Sequence, residues 1–118
     1  MTLKEYQLKA MTTCMPSSEN FSYMALNLVG EVGEFASKVA KHIRKENASI
    51  NGNHLSGNLN AVQMQELKAE AGDILWQLSG LCFIMGWDLE DVAQSNLTKL
   101  QMRQAIGTID GNGDGIER

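Results

Sequence analysis

At 118 residues, 43% of them hydrophobic and 20% charged, the chain has the composition of one globular domain and is too short for two. Ten Lys and Arg against fourteen Asp and Glu leave a net charge of -4, which argues against binding to nucleic acid or an anionic membrane through bulk charge. No apolar stretch approaches the roughly 18 residues of a membrane span, the N-terminus has no signal core, and Cys14 and Cys82 lack metal-type spacing. The expectation is a cytoplasmic protein with reduced thiols and no membrane partner. The N-x-[ST] matches at Asn20, Asn47 and Asn96 have no meaning in such a chain.

One proline, few aromatics and no alternating Val/Ile/Thr segments point to an all-α class. Thr2 and Glu5 form a capping box for a first helix that runs to about Thr13, before Cys14-Met15-Pro16-Ser17-Ser18 interrupts it. A second, long amphipathic helix starts between Ser18 and Phe21, carries Leu28, Val32, Phe35, Val39 and Ile43, and ends near Glu46. The Asn-, Ser- and Gly-rich stretch that follows, 47–62, reads as an exposed loop insert. Asn60 with Gln63 caps a third helix that Gly86 ends, and Asp88 caps a fourth, Leu89 to about Ala105. Residues 1–106 make one helical domain, expected to be an antiparallel four-helix bundle, and 107–118 a flexible Gly-rich tail.

The chemistry lies on the two long helices. With Lys38 as zero and 100° per residue, Glu31 falls at about 20°, Glu34 at about -40°, Lys41 at about -60° and Lys45 at about -20°. Two carboxylates and three ammonium groups therefore share a stripe that borders the apolar face. On the third helix Glu70 and Asp73 repeat the i, i+3 spacing, with Glu66 before them and Gln77 after. Carboxylates facing one another across two helices repel by several kcal/mol on the order-of-magnitude scale of partly desolvated charges, so such a set normally holds cations. An all-oxygen set selects Mg2+, with Mn2+ as a substitute, and leaves coordination positions for phosphate oxygens. A di-iron site uses Glu-x-x-His pairs, and neither His42 nor His54 stands three residues after a glutamate.

Gly30, Gly33 and Gly72 inside helices imply close approach of a backbone or ligand, and Trp76 and Trp87 read as core or interface residues. Met24, Met64, Met85 and Met102 read as core or interface gap fillers, and His42 and His54 as surface histidines. Asp110-Gly111-Asn112-Gly113-Asp114-Gly115 copies the first half of an EF-hand loop, but the chain ends at Arg118, before the glutamate such a loop needs.

The stretches Leu28-Val29-Gly30-Glu31-Val32-Gly33-Glu34-Phe35-Ala36 and Glu66-Leu67-Lys68-Ala69-Glu70-Ala71-Gly72-Asp73-Ile74-Leu75-Trp76 closely resemble the MazG-like nucleoside triphosphate pyrophosphohydrolases. The resemblance continues through Gly86-Trp87-Asp88-Leu89-Glu90-Asp91-Val92 to Asn96-Leu97-Thr98-Lys99-Leu100 with Arg103, and omits 47–64. It implies a magnesium-dependent enzyme that cuts a nucleoside triphosphate to the monophosphate and pyrophosphate. By the same resemblance Glu31, Glu34, Glu70 and Asp73 are metal ligands, with a glutamate of the Glu31/Glu34 pair orienting water. Lys38 and Lys41 suit the phosphates, and Asn96, Lys99 and Arg103 the nucleotide. A homo-oligomer, dimer or tetramer, is expected because so short a chain has little apolar surface left to cover a charged site. The alternatives are a non-catalytic nucleotide-binding module and a phosphoribosyl-ATP pyrophosphohydrolase-like enzyme.

Overall fold

The computed structural model describes residues 1–107; the Gly-rich segment 108–118, with its half EF-hand pattern and Arg118, lies outside them. The four helices are α1 (Leu3–Met11), α2 (Phe21–Arg44), α3 (Ala61–Ile84) and α4 (Leu89–Ala105), with a 3-10 turn at Pro16–Ser18. The expected caps form. Thr2 and Glu5 close a capping box on α1, Asn60 and Gln63 close one on α3, and Asn20 and Asp88 accept backbone hydrogen bonds at the starts of α2 and α4.

The insert is not a loop. Residues Ala48–Asn51 (β1) and His54–Gly57 (β2) pair antiparallel, with Ile50 opposite Leu55 and Ala48 opposite Gly57. The turn residues decided this where periodicity over four-residue strands could not. Gly52-Asn53 supplies a two-residue connection whose first residue, Gly52, has φ 65°, the position that a type II′ turn reserves for glycine. The hairpin root is tied to α2: the Asn47 amide donates to the His42 carbonyl at 2.9 Å, and the Asn58 amide donates to the Asn47 carbonyl at 2.6 Å. Gly57 lies so close that a Cβ there would overlap the Asn47 carbonyl oxygen and come within 2.6 Å of the Ala48 Cα.

The long helices α2 and α3 form the principal pair, and α1 lies across α3 and α4. Gln7, buried on α1, ties this corner together. Its amide donates to the carbonyls of Ser79 (3.2 Å) and Trp87 (3.1 Å), and its carbonyl accepts from the Leu89 amide (3.0 Å). Trp76 is likewise an anchor for α1, its indole N–H donating to the Ala10 carbonyl and the Thr13 hydroxyl, whereas Trp87 is half-exposed and contributes no core. At the α2–α3 contact Met24 is fully buried against Gly80, where any Cβ would strike its sulfur. Met64, Met85 and Met102 are exposed rather than core, and Cys14 and Cys82 are both free.

The close approaches expected at Gly30, Gly33 and Gly72 do not occur within the chain. Nothing lies near a Cβ at Gly33 or Gly72, and a Cβ at Gly30 would meet only Asn27 of its own helix. Gly80 is the glycine that permits helix contact. The single chain is also more open than a closed bundle, with a radius of gyration of 17.4 Å where a compact domain of this length has about 13 Å. Leu26, Val29 and Val32, spaced three apart on α2, are 74%, 72% and 49% exposed. No helix among the described residues is long and apolar enough to cross a membrane.

Both α2 and α3 end in a Schellman motif, but with different residues in the left-handed position. After α3 the Trp87 amide donates to the Cys82 carbonyl and the Gly86 amide to that of Phe83, with Gly86 at φ 75°. After α2 the Asn47 amide donates to His42 and the Glu46 amide to Ile43, and Glu46 itself sits at φ 60°. A Cβ in that region is unfavourable by about 1–2 kcal/mol. Glu46→Gly is therefore expected to stabilise the protein by about 0.5–1 kcal/mol once the extra freedom of the unfolded glycine is subtracted. A urea midpoint that falls instead, at unchanged slope, would contradict this.

Candidate active site

The seam between α2 and α3 carries the charged residues. Glu31 from α2 and Glu70 and Asp73 from α3 each offer a carboxylate oxygen, all within 4.8 Å of one another; Glu31 and Glu70 are half-buried and Asp73 is exposed. Three of the four expected carboxylates thus converge. Glu34, one turn on from Glu31, is exposed and stands outside the set. Lys38 crosses the seam to Glu70, Nζ to Oε1 2.7 Å.

The convergence has an electrostatic cost that is visible at Glu31. Partial burial, and then the charges of Asp73, Glu70 and Glu34, hold its carboxyl above the usual carboxylate range, while a hydrogen bond from Asn27 pulls the other way. Lys38 is held above its ordinary value by its hydrogen bond to Glu70, with the charges of Glu70, Glu66 and Glu34 adding to it. The hydroxyl of Tyr6, on α1, is held above its ordinary value by partial burial and then by the charge of Asp73.

Two further residues hold the cluster's inner end. The Asn27 amide donates to Gln77 Oε1 at 2.8 Å and lies 3.5 Å from Glu31 Oε1 and 3.3 Å from the Tyr23 hydroxyl. Gln77, buried, directs its own amide at the Met24 sulfur at 3.7 Å. Asn27 stands four residues before Glu31 and Gln77 four after Asp73, so both continue the carboxylate stripes inward. The line from Asp73 to Gln77 is read from the sequence; the same i, i+4 spacing from Glu31 would have found Asn27, while its bond to Gln77 is set by the packing.

Lys38, Lys41 and Lys45 line one pocket of about 250 Å3 together with His42 and Asn47, adjoining Glu66 and Gln63 of α3. His42 is therefore half-buried in this pocket rather than a bare surface histidine, whereas His54 is exposed on the hairpin. Asn96 lies elsewhere. It lines an apolar groove with Leu3, Leu75, Leu78 and Leu89, and Leu75 and Leu78 are roughly 140–160° around α3 from Asp73 at 100° per residue. Lys99 and Arg103 share the α4 stripe of Asn96. Within one chain the structure does not bring Asn96 to the carboxylates.

A model of the MazG nucleotide pyrophosphohydrolase domain matches residues 19–106, a span that includes both carboxylate-bearing helices and α4. The chain belongs to this family. Its similarity to the Gene 37 protein of Mycobacterium phage L5 is 35% identity over 116 residues, covering 92% of this chain and 94% of that protein. No solved structure matches it. The MazG match starts after α1, so Gln7, which ties α1 to the end of α3 and the start of α4, is outside it.

The sign of the Glu31 shift gives a test. A carboxyl whose folded pKa lies above its unfolded value favours folding most below the unfolded pKa, and that contribution is lost as pH rises through the folded one. At neutral pH, without added cations, Glu31→Gln is expected to stabilise the fold by about 0.5 kcal/mol after allowance for solvent screening, a rise of roughly 2–4 °C in Tm. The two proteins converge only below about pH 3.5, under the unfolded pKa of about 4.3, where the glutamate is protonated in both states. A variant less stable than wild type at pH 7 would show that Glu31 is not under like-charge stress.

Proposed function

We propose that the chain is a Mg2+-dependent nucleoside triphosphate pyrophosphohydrolase, acting on ribo- or deoxyribonucleotides in control of the nucleotide pool. The observation that carries this reading is the convergence of Glu31, Glu70 and Asp73 beside a lysine-lined pocket. The donor set fits a hard cation: it is all carboxylate oxygen, and the like-charge stress on Glu31 is what a cation would relieve. Bound Mg2+, or Mn2+ in its place, supplies phosphoryl polarisation, activation of water and charge neutralisation.

Glu31, Glu70 and Asp73 are assigned as its ligands. Glu34, outside the set and exposed, orients the attacking water and takes its proton. The water oxygen bonds to the α-phosphorus, the bond from that phosphorus to the bridging oxygen breaks, and pyrophosphate departs with the electron pair. Asn27 and Gln77 keep the Glu31 carboxylate turned toward the seam. Lys38, paired with Glu70 and half-exposed, and Lys41 beside it bind the departing phosphates.

The product pair decides the reading. Monophosphate plus pyrophosphate is expected, with Asp73→Ala and Glu34→Ala lowering kcat by at least about a hundredfold, the usual scale for a ligand or general base, at unchanged helical CD. Diphosphate plus phosphate would overturn it. Saturable triphosphate binding without turnover would favour a non-catalytic module.

We further propose that a second copy completes the site. Leu26, Val29 and Val32 on α2 are uncovered, and Asn96 on α4 lines a groove on another face of α3 from the carboxylates. A partner copy that covers the first set and brings its own α4 to the seam would satisfy both. Light scattering is expected to give a dimer or tetramer of the 13.0 kDa chain; an active monomer at micromolar concentration would rule out the shared site.

A further inference from the structure

We propose that the β-hairpin insert is part of the active site, its root closing a cationic pocket that grips the pyrophosphate end of the substrate, with Lys45, His42, Asn47 and Gln63 as contacts beyond Lys38 and Lys41. The inference rests on the pyrophosphohydrolase reading for its substrate. Its geometry stands on the pocket itself.

The pocket lies in the same α2–α3 seam as the carboxylates, one step further toward the end of α2 and the start of α3. Lys38 belongs to both, bonded to Glu70 and lining the pocket. Glu66, at the pocket's edge, is one turn from Glu70, a rise of about 6 Å along α3. An anion whose one end sits at the carboxylate-held cation therefore extends naturally into the pocket. Three ammonium groups and one carboxylate line it, so its charge selects an anion of more than one negative charge. Apart from the His42 imidazole, no aromatic side chain lines it among the described residues, so the lining favours phosphate groups over a stacked base. Phosphate groups fit this set of point charges and amides.

Basic residues in the last turn of a helix also complement its dipole, and that alone would explain Lys41 and Lys45 as solvated charges. It does not explain the wall. The chain leaves α2 through Glu46 in the left-handed region, at a position where glycine would be comfortable, and so folds Asn47 back over His42. The Asn47 side-chain amide lies 3.5 Å from His42 Nδ1, and its backbone is pinned on both sides, to His42 and to Asn58. Gly57 allows the returning strand to press against that same residue. On the facing helix the Gln63 carbonyl is taken up by the Asn60 amide of the capping box, which leaves the Gln63 amide group as a donor. The hairpin thus holds one wall of the pocket from outside the helical pair.

The test reads binding of inorganic pyrophosphate with Mg2+ by titration calorimetry, separately from turnover. Wild type is expected to bind it saturably. Lys45→Ala, at an exposed position where folding is not at risk, weakens it about tenfold, the loss typical of one charged hydrogen bond. Asn47→Ala weakens it by a smaller factor, and both variants raise KM for a triphosphate while leaving kcat within about twofold. Inorganic monophosphate, too short to span both subsites, binds wild type more weakly and is less sensitive to Lys45→Ala. No pyrophosphate binding by wild type, or equal binding by both folded variants, overturns the proposal. Pyrophosphate binding with these dependences in a protein that releases no monophosphate would leave the pocket standing and remove the catalytic reading; normal turnover with insensitive pyrophosphate binding would do the reverse.

Discussion

Like charges brought together across one helix pair are the constraint on which the rest of this structure turns. Glu31, Glu70 and Asp73 meet where α2 and α3 pack, and mutual repulsion with partial desolvation works against that packing. The opposing contributions are close by. Met24 is buried against Gly80 one side of the cluster, Asn27 and Gln77 bridge the helices beneath it, and Lys38 neutralises Glu70 on the other side. The arrangement holds a stressed carboxylate set in place by apolar contact, amide pairing and one ion pair.

The seam is graded along its length. Its inner end is amide and thioether, its middle acidic, and its outer end basic, with the hairpin root as the last wall. This sequence of chemistries follows from two helices that each carry functional residues at i, i+3 and i+4 on the face bordering their apolar stripe. It sets an acidic cluster and a cationic pocket side by side rather than in a single cavity. Membership of the MazG nucleotide pyrophosphohydrolase domain family agrees with such an order, since the matched span, 19–106, contains every element of it.

The apolar surface that one chain leaves uncovered is the counterpart of that charged seam. Helices that devote one border to charge have a narrower stripe for packing, and the exposed Leu26, Val29 and Val32 with the open shape of the chain are the consequence. Asn96 of α4, in the apolar groove with Leu75 and Leu78 on another face of α3, belongs to the same account.

Much of this was determined by sequence alone. Helix ends depend on local chemistry, so Thr2 with Glu5, Asn60 with Gln63, Asp88 and Gly86 locate them within a residue or two. The 3.6-residue period likewise puts Glu31 on one stripe and Glu70, Asp73 and Gln77 on another. What periodicity cannot say is how two stripes are set against each other, and there the tertiary structure decided. It left Glu34 outside the carboxylate set, joined Asn27 to Gln77 across the helices, and made Gly80 rather than Gly30, Gly33 or Gly72 the point of helix contact. It also turned an Asn-rich stretch into a hairpin whose strands are too short for a period-two signal, so that a left-handed Glu46 and a close-packed Gly57 bring Asn47 to the lysines. Side-chain direction along one helix is a local property; the distance between groups on two elements depends on packing, which only the folded chain specifies.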